Sequence, residues 1–173
     1  MLSENELIDA LCMYLKSHDY KIVVARTTKE KGIDVIAKKG TSRLLIEAQG
    51  DPGSFKGSKR YERTFSPSQI STSVSTDLYP AADLSSHERQ GEDKIALAFP
   101  NHPTYLTFIA KIRPVLDELD ITVFLIGDDR SVTCLQGHEC WRSFDVAAVD
   151  NILSAFFTSD CTLYAVDSIG CCS

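Results

Sequence analysis

Two apolar runs, Ile33-Asp34-Val35-Ile36-Ala37 and Arg43-Leu44-Leu45-Ile46-Glu47-Ala48-Gln49, are joined by Lys38-Lys39-Gly40-Thr41-Ser42, and this short link constrains the chain more than any other feature. Glycine at the first central position of a two-residue turn fits a type II′ hairpin, whose twist suits antiparallel strands. The turn fixes the register: Lys39 pairs with Ser42, Lys38 with Arg43, Ala37 with Leu44, Ile36 with Leu45, Val35 with Ile46, and Asp34 with Glu47. Two carboxylates then stand opposite each other, with Cβ atoms about 4.5–5.5 Å apart, where like charges repel unless something neutralises them. A divalent cation would do so, since Mg²⁺ takes one or two carboxylates and completes its shell with water and substrate phosphate. The plainer alternative is a pair of acids at a solvated sheet end, each with its own Lys or Arg. The surroundings favour the metal: both strands are otherwise apolar, Gly32 precedes the aspartate, and Gln49 lies on the same face as Glu47, ahead of a basic loop. Val35, Ala37, Leu44 and Ile46 form the opposite face, which is expected to pack as core.

Elsewhere the pattern alternates between strand and helix. Ser3 with Glu6 three residues later has the form of a capping box, and Leu7, Leu11, Met13/Tyr14 and Leu15 follow at helical spacing. A β-branched run at 20–25 completes a three-strand meander with the hairpin. Lys94 to Phe99 and Ile121 to Ile126 read as buried strands flanking an amphipathic helix from Tyr105 to Leu119, a parallel β-α-β return onto the same sheet. The Ser-, Gly- and charge-rich stretch from Gly53 to Gly91 reads as a mobile insertion, with a helix starting near Ser66-Pro67. Beyond it, a helix over Val146–Phe157 and a strand over Thr162–Val166 are expected. The fold class is therefore α/β: one domain over 1–173, a central mixed sheet flanked by helices, with its core in about 1–130 and a C-terminal extension over 131–173.

At 173 residues such a domain buries roughly 70% of its unfolded surface and needs no covalent staples. No run is long and apolar enough to span a membrane, so no membrane partner is expected. The first residues lack the basic flank and apolar stretch of a secretory signal, which points to the cytoplasm and to reduced cysteines. Cys134, His138 and Cys140 match no usual zinc spacing. His18, His87, His102 and His138 are scattered and read as solvated. The net charge of −6 argues against coating nucleic acid by bulk charge, but it conceals an asymmetry. Residues 26–63 hold ten Lys or Arg against five acids, net +5, leaving −11 for the remainder. A local basic face on an acidic body is the consequence.

The sequence Gly32-Ile33-Asp34-Val35-Ile36, followed by Leu44-Leu45-Ile46-Glu47-Ala48-Gln49, resembles the signature of the PD-(D/E)XK nuclease superfamily, which includes restriction endonucleases and archaeal Holliday-junction resolvases. The order of elements resembles the superfamily core as well, over roughly residues 1–130. The resemblance implies a restriction endonuclease-like fold and metal-dependent DNA endonuclease activity, in which a water activated by Mg²⁺ or Mn²⁺ attacks phosphorus. It implies Asp34, Glu47 and the Ala48 carbonyl as metal ligands. Glu4 resembles an accessory acid of the resolvase-like members, with Glu6 as the alternative and a helix-start acid facing the macrodipole as the plainer reading of either. Lys56, Lys59, Arg60 and Arg63 would meet DNA phosphates, and Gln69 resembles a polar residue that lines such sites, against the plainer reading of a surface residue. Gln49 departs from the superfamily pattern, which has lysine there; glutamine carries no charge to orient the attacking water. Some restriction enzymes share the glutamine. The resemblance is also compatible with a homodimer, which is common in the superfamily because duplex cleavage needs two cuts; the sequence leaves the oligomeric state open. The competing reading is a catalytically silent nuclease-like module that binds nucleic acid or protein.

Overall fold

A computed structural model describes residues 2–26, 32–50, 67–88 and 91–135. The elements are α1 (Glu4–Ser17), β1 (Lys21–Ala25), β2 (Val35–Lys39), β3 (Ser42–Ala48), α2 (Pro67–Asp83, continuing into a π-turn over Leu84–Glu88), β4 (Lys94–Pro100), α3 (Pro103–Glu118), β5 (Ile121–Ile126) and β6 (Val132–Leu135). The strands form one six-stranded mixed sheet in sequential order, β1-β2-β3-β4-β5-β6. β1, β2 and β3 are an antiparallel meander, β3, β4 and β5 run parallel, and β6 returns antiparallel to β5. This is an α/β architecture consistent with a restriction endonuclease-like core.

The hairpin register is the expected one from Lys39 opposite Ser42 to Val35 opposite Ile46, where the ladder ends; the expected Asp34–Glu47 pair lies one step beyond it. Its cause is visible at the turn: Gly40 takes φ +62° while Thr41 stays at negative φ, the combination a type II′ turn requires. The expected core face is also present. Val35, Ala37, Leu44 and Ile46 are buried under α1, together with Leu7, Leu11 and Leu15 from the helix. Met13, by contrast, is 65% exposed and lies off that stripe. The capping box at α1 is complete: Ser3 N–H and Oγ donate to Glu6 Oε2 (2.9 and 2.7 Å), and Glu6 N–H donates to Ser3 Oγ (3.4 Å).

A second core lies on the opposite face, under α2 and α3, and includes Ile70, Val74, Ala81, Leu97, Phe99, Ile109 and Leu125. Residues 67–88 are not part of an excursion; α2 is the crossover that carries the chain from β3 to its parallel neighbour β4. Its Ser- and Thr-rich composition disfavours helix because the hydroxyls compete for backbone groups. In the fold they bond back to the preceding turn instead, Thr72 to the Ser68 carbonyl (3.0 Å), Ser75 to Ser71 (2.9 Å) and Thr76 to Thr72 (2.8 Å). Burial of Ile70, Val74 and Ala81 overrides the weak local propensity. The sheet also extends beyond residue 130, since β6 is a strand the sequence reading did not single out. The helix and strand expected over Val146–Phe157 and Thr162–Val166 lie outside the described residues.

Two of the histidines are helix caps, and both are exposed as expected. His102 is the N-cap of α3, with Nδ1 accepting from Thr104 N–H (3.2 Å), and His18 caps α1 and packs against the Tyr14 ring at 4.1 Å between centroids. At the amino ends of β3 and β4, buried Asp93 accepts from Arg43 N–H (3.1 Å) and Nε (3.0 Å) and pairs with Nη2, fastening the parallel strands together.

Candidate metal centre

Asp34 and Glu47 come together where the meander meets the parallel half of the sheet. Glu47 is the second-last residue of β3, on the face that carries α2, and Asp34 immediately precedes β2. The Asp34 carboxylate is held by the hairpin itself, since Ala48 N–H donates to its Oδ2 at 2.8 Å. Glu47 is in hydrogen-bonding contact with Asp34, and both side chains are half-buried. Two carboxyls can share a hydrogen bond only if one keeps its proton. Burial, then the Asp34 charge and the hydrogen bond to it, push Glu47 up to about 8, so the pair as a unit retains a proton near neutral pH. Burial raises Asp34 as well, opposed by the Ala48 hydrogen bond.

Two further acids face the pair. Glu4, in the first turn of α1, is raised by burial and by the Asp34 charge. Its neighbour Glu6 is occupied by the capping box and held below the usual carboxylate range by its bonds to Ser3. The structure thus separates the two helix-start acids: Glu4 joins the cluster and Glu6 caps the helix. Gly50 makes this possible. A Cβ at that position would lie 2.1 Å from the Glu4 nitrogen and 2.3 Å from its Cα, so only glycine lets the end of β3 approach the start of α1.

The fourth acid, Asp77 of α2, was missed in the sequence. Burial, then the charges of Asp34 and Glu4, push it up to about 7. Its Oδ2 and the Ser73 Oγ one turn earlier are buried without a hydrogen-bond partner among the described residues. The signal was present: 70, 73, 74, 77, 78 and 81 follow the i, i+3, i+4, i+7 rule, which puts an acid on the inward stripe of α2.

One cation is bonded beside Asp34. Arg26 follows β1, and its N–H donates to the Asp34 carbonyl (2.7 Å) while Nη1 donates to the Ile33 carbonyl (2.5 Å). Its charge lowers both Asp34 and Glu47, but among the described residues it forms no ion pair with either. Gln49 continues the ladder, its N–H donating to the Ala98 carbonyl (3.0 Å) and its side-chain Nε2 to the Gly50 carbonyl (3.3 Å). Gln69 sits half-buried in the first turn of α2. Lys56, Lys59, Arg60 and Arg63 lie outside the described residues.

The donor set suits a hard divalent cation. It is all oxygen, it brings together more carboxyls than it can keep ionised without a cation, and it contains a buried carboxylate oxygen with no partner among the described residues. Among the described residues no three His, Cys, Asp or Glu side chains converge tightly enough to hold an ion alone. Mg²⁺ does not require that, because it keeps several waters and is commonly held by one or two carboxylates.

No known family matches the chain, and no curated protein does. Among solved structures it is similar to a FdxN element excision controlling factor protein from Anabaena variabilis, with 16% sequence identity and a TM-score of 0.44 over 73% of this chain and 95% of that one. So remote a likeness bears on neither the site nor its chemistry. No helix among the described residues is long and apolar enough to cross a membrane.

Proposed function

We propose that this chain is a nuclease of the PD-(D/E)XK type that hydrolyses phosphodiester bonds in DNA, with Mg²⁺ or Mn²⁺ held by Asp34, Glu47 and the Ala48 carbonyl. The observation that carries this reading is the contact between two half-buried carboxyls, Asp34 and Glu47, which in the absence of a cation forces a proton onto one of them. The bound ion supplies a water of lowered pKa and a charge to balance the phosphate. Ala48 N–H orients Asp34, the hairpin presents Glu47 beside it, and Glu4 and Asp77 add further carboxyls, whose negative potential acts twice as strongly on a divalent cation as on a proton. Attack by water on phosphorus forms one P–O bond and breaks another, leaving a phosphate end and a hydroxyl end. Residues 56–63, with Lys56, Lys59, Arg60 and Arg63, are proposed to meet neighbouring phosphates.

A second reading, a binding module without catalysis, is favoured by Gln49, whose amide donates to Gly50 and brings no charge to the acids. Calorimetric titration with Mg²⁺ and Mn²⁺, run beside plasmid cleavage, separates the two. The nuclease reading expects metal binding that Asp34→Ala abolishes, and nicking that both Asp34→Ala and Glu47→Gln reduce by at least about 100-fold. Tight DNA binding with no cleavage in either metal establishes the module instead.

A further inference from the structure

We infer that Arg26 is the residue that grips the reacting phosphate and stabilises the charge it develops, an inference that rests on the nuclease reading of the acid pair. Three local features hold the residue in place, two of them at its side chain. Its backbone N–H is tied to the carbonyl of Asp34 (2.7 Å), its Nη1 to the carbonyl of Ile33 (2.5 Å), and the guanidinium lies across Gly32. Gly32 has φ +108°, which L side chains rarely adopt, and a Cβ there would lie 3.0 Å from Nη1 and 3.2 Å from Cζ. The glycine beside the first acid therefore both makes the turn and clears the seat of the arginine.

Charge decides the role. A guanidinium does not deprotonate in proteins, so Arg26 is not a base. Nor is it the counter-ion of the acids: among the described residues it forms no ion pair with either of them. Neutralisation of Asp34 and Glu47 by a doubly charged ion leaves Arg26 with its single positive charge. The incoming phosphodiester carries one negative charge and gains a second as water adds to phosphorus. Arg26 presents five N–H donors in a planar fork, of which the Ile33 carbonyl engages one, and this fork matches two phosphate oxygens. Gln49 supplies no charge, and α2 contains no Lys or Arg, which leaves Arg26, bonded to the carbonyls of Ile33 and Asp34, as the cation seated beside the first acid. Fixed donors aimed at developing charge typically contribute 10²- to 10³-fold in rate.

The test compares the full chain with Arg26→Gln and Arg26→Lys by three readouts: Mg²⁺ affinity without DNA, single-turnover plasmid cleavage in Mg²⁺, and melting temperature. Removal of a positive charge beside a cation site should tighten Mg²⁺ binding by about threefold to tenfold, whereas cleavage should fall by about 100-fold or more. Arg26→Lys keeps the charge, so its Mg²⁺ affinity stays near that of the parent, and it loses about tenfold in cleavage with the fork. Opposite movement of affinity and rate is a result that a merely structural arginine would not give. Cleavage by Arg26→Gln within about threefold of the parent, or weaker Mg²⁺ binding by it, overturns the inference while leaving the nuclease reading standing. A parent chain that neither binds Mg²⁺ nor cleaves overturns that reading itself, and this inference with it.

Discussion

A carboxyl lifted by burial and by a carboxylate neighbour holds a proton that the unfolded chain would release, and at Glu47 this makes folding sensitive to pH. The folded value, about 8, lies above the ordinary 4.5. The contribution to stability is therefore complete below about pH 4.5 and drains away as the pH rises through 8. Asp34, Asp77 and Glu4 are displaced in the same direction and add to the slope. Without added metal, the melting temperature should fall between pH 5 and pH 8.5, and Glu47→Gln should flatten much of that fall. At pH 8.5 the variant is expected to be the more stable by about 1–2 kcal/mol, after allowance for the water that reaches a half-exposed carboxyl. Thermal melts across that range measure it; a parent protein that becomes more stable with rising pH would contradict the shared proton.

At the scale of elements, the site depends on how closely three of them approach. α1 brings Glu4, α2 brings Asp77, and the β2-β3 hairpin brings Asp34 and Glu47. The approach of α1 is set by Gly50, where backbone atoms rather than a flexible side chain occupy the space a Cβ would need. Gly50→Ala must push the helix start away from the sheet. Overpacking of this kind costs about 1–3 kcal/mol, and for a domain of this size that is a fall of several degrees in melting temperature. Because Glu4 moves with the helix, Mg²⁺ affinity should weaken as well. Melts and calorimetry on this variant would show an unchanged protein if the close approach were unimportant.

For the whole molecule, proton, metal and fold are linked. A cation that binds only the folded chain stabilises it in proportion to the logarithm of its excess over the dissociation constant, about 2.7 kcal/mol at a hundredfold excess. Protons compete for the same oxygens, so the effect has a direction in pH. Addition of 10 mM Mg²⁺, on the order of a saturating concentration for such sites, should raise the melting temperature more at pH 8 than at pH 5, and Asp34→Ala should lose the difference. An equal rise at both pH values, or in the variant, would locate the ion elsewhere on the acidic surface.

The amino-acid sequence by itself determined what short-range chemistry controls. Gly40 selects the turn, the turn selects the register, and the register places Asp34 beside Glu47; each step spans a few residues and needs no distant partner. The capping box of α1 and the apolar strands β4 and β5 were legible for the same reason. Tertiary structure alone decided the rest. α2 is a helix because the sheet buries its apolar stripe, against the preference of its Ser- and Thr-rich sequence; the spacing puts Asp77 on that stripe, and only the packed fold brings the stripe against the other acids. The choice between Glu4 and Glu6, two positions apart on one helix turn, depended on which side α1 turns to the end of β3. That is settled by a contact with Gly50, 46 residues away in the chain, which no local pattern records.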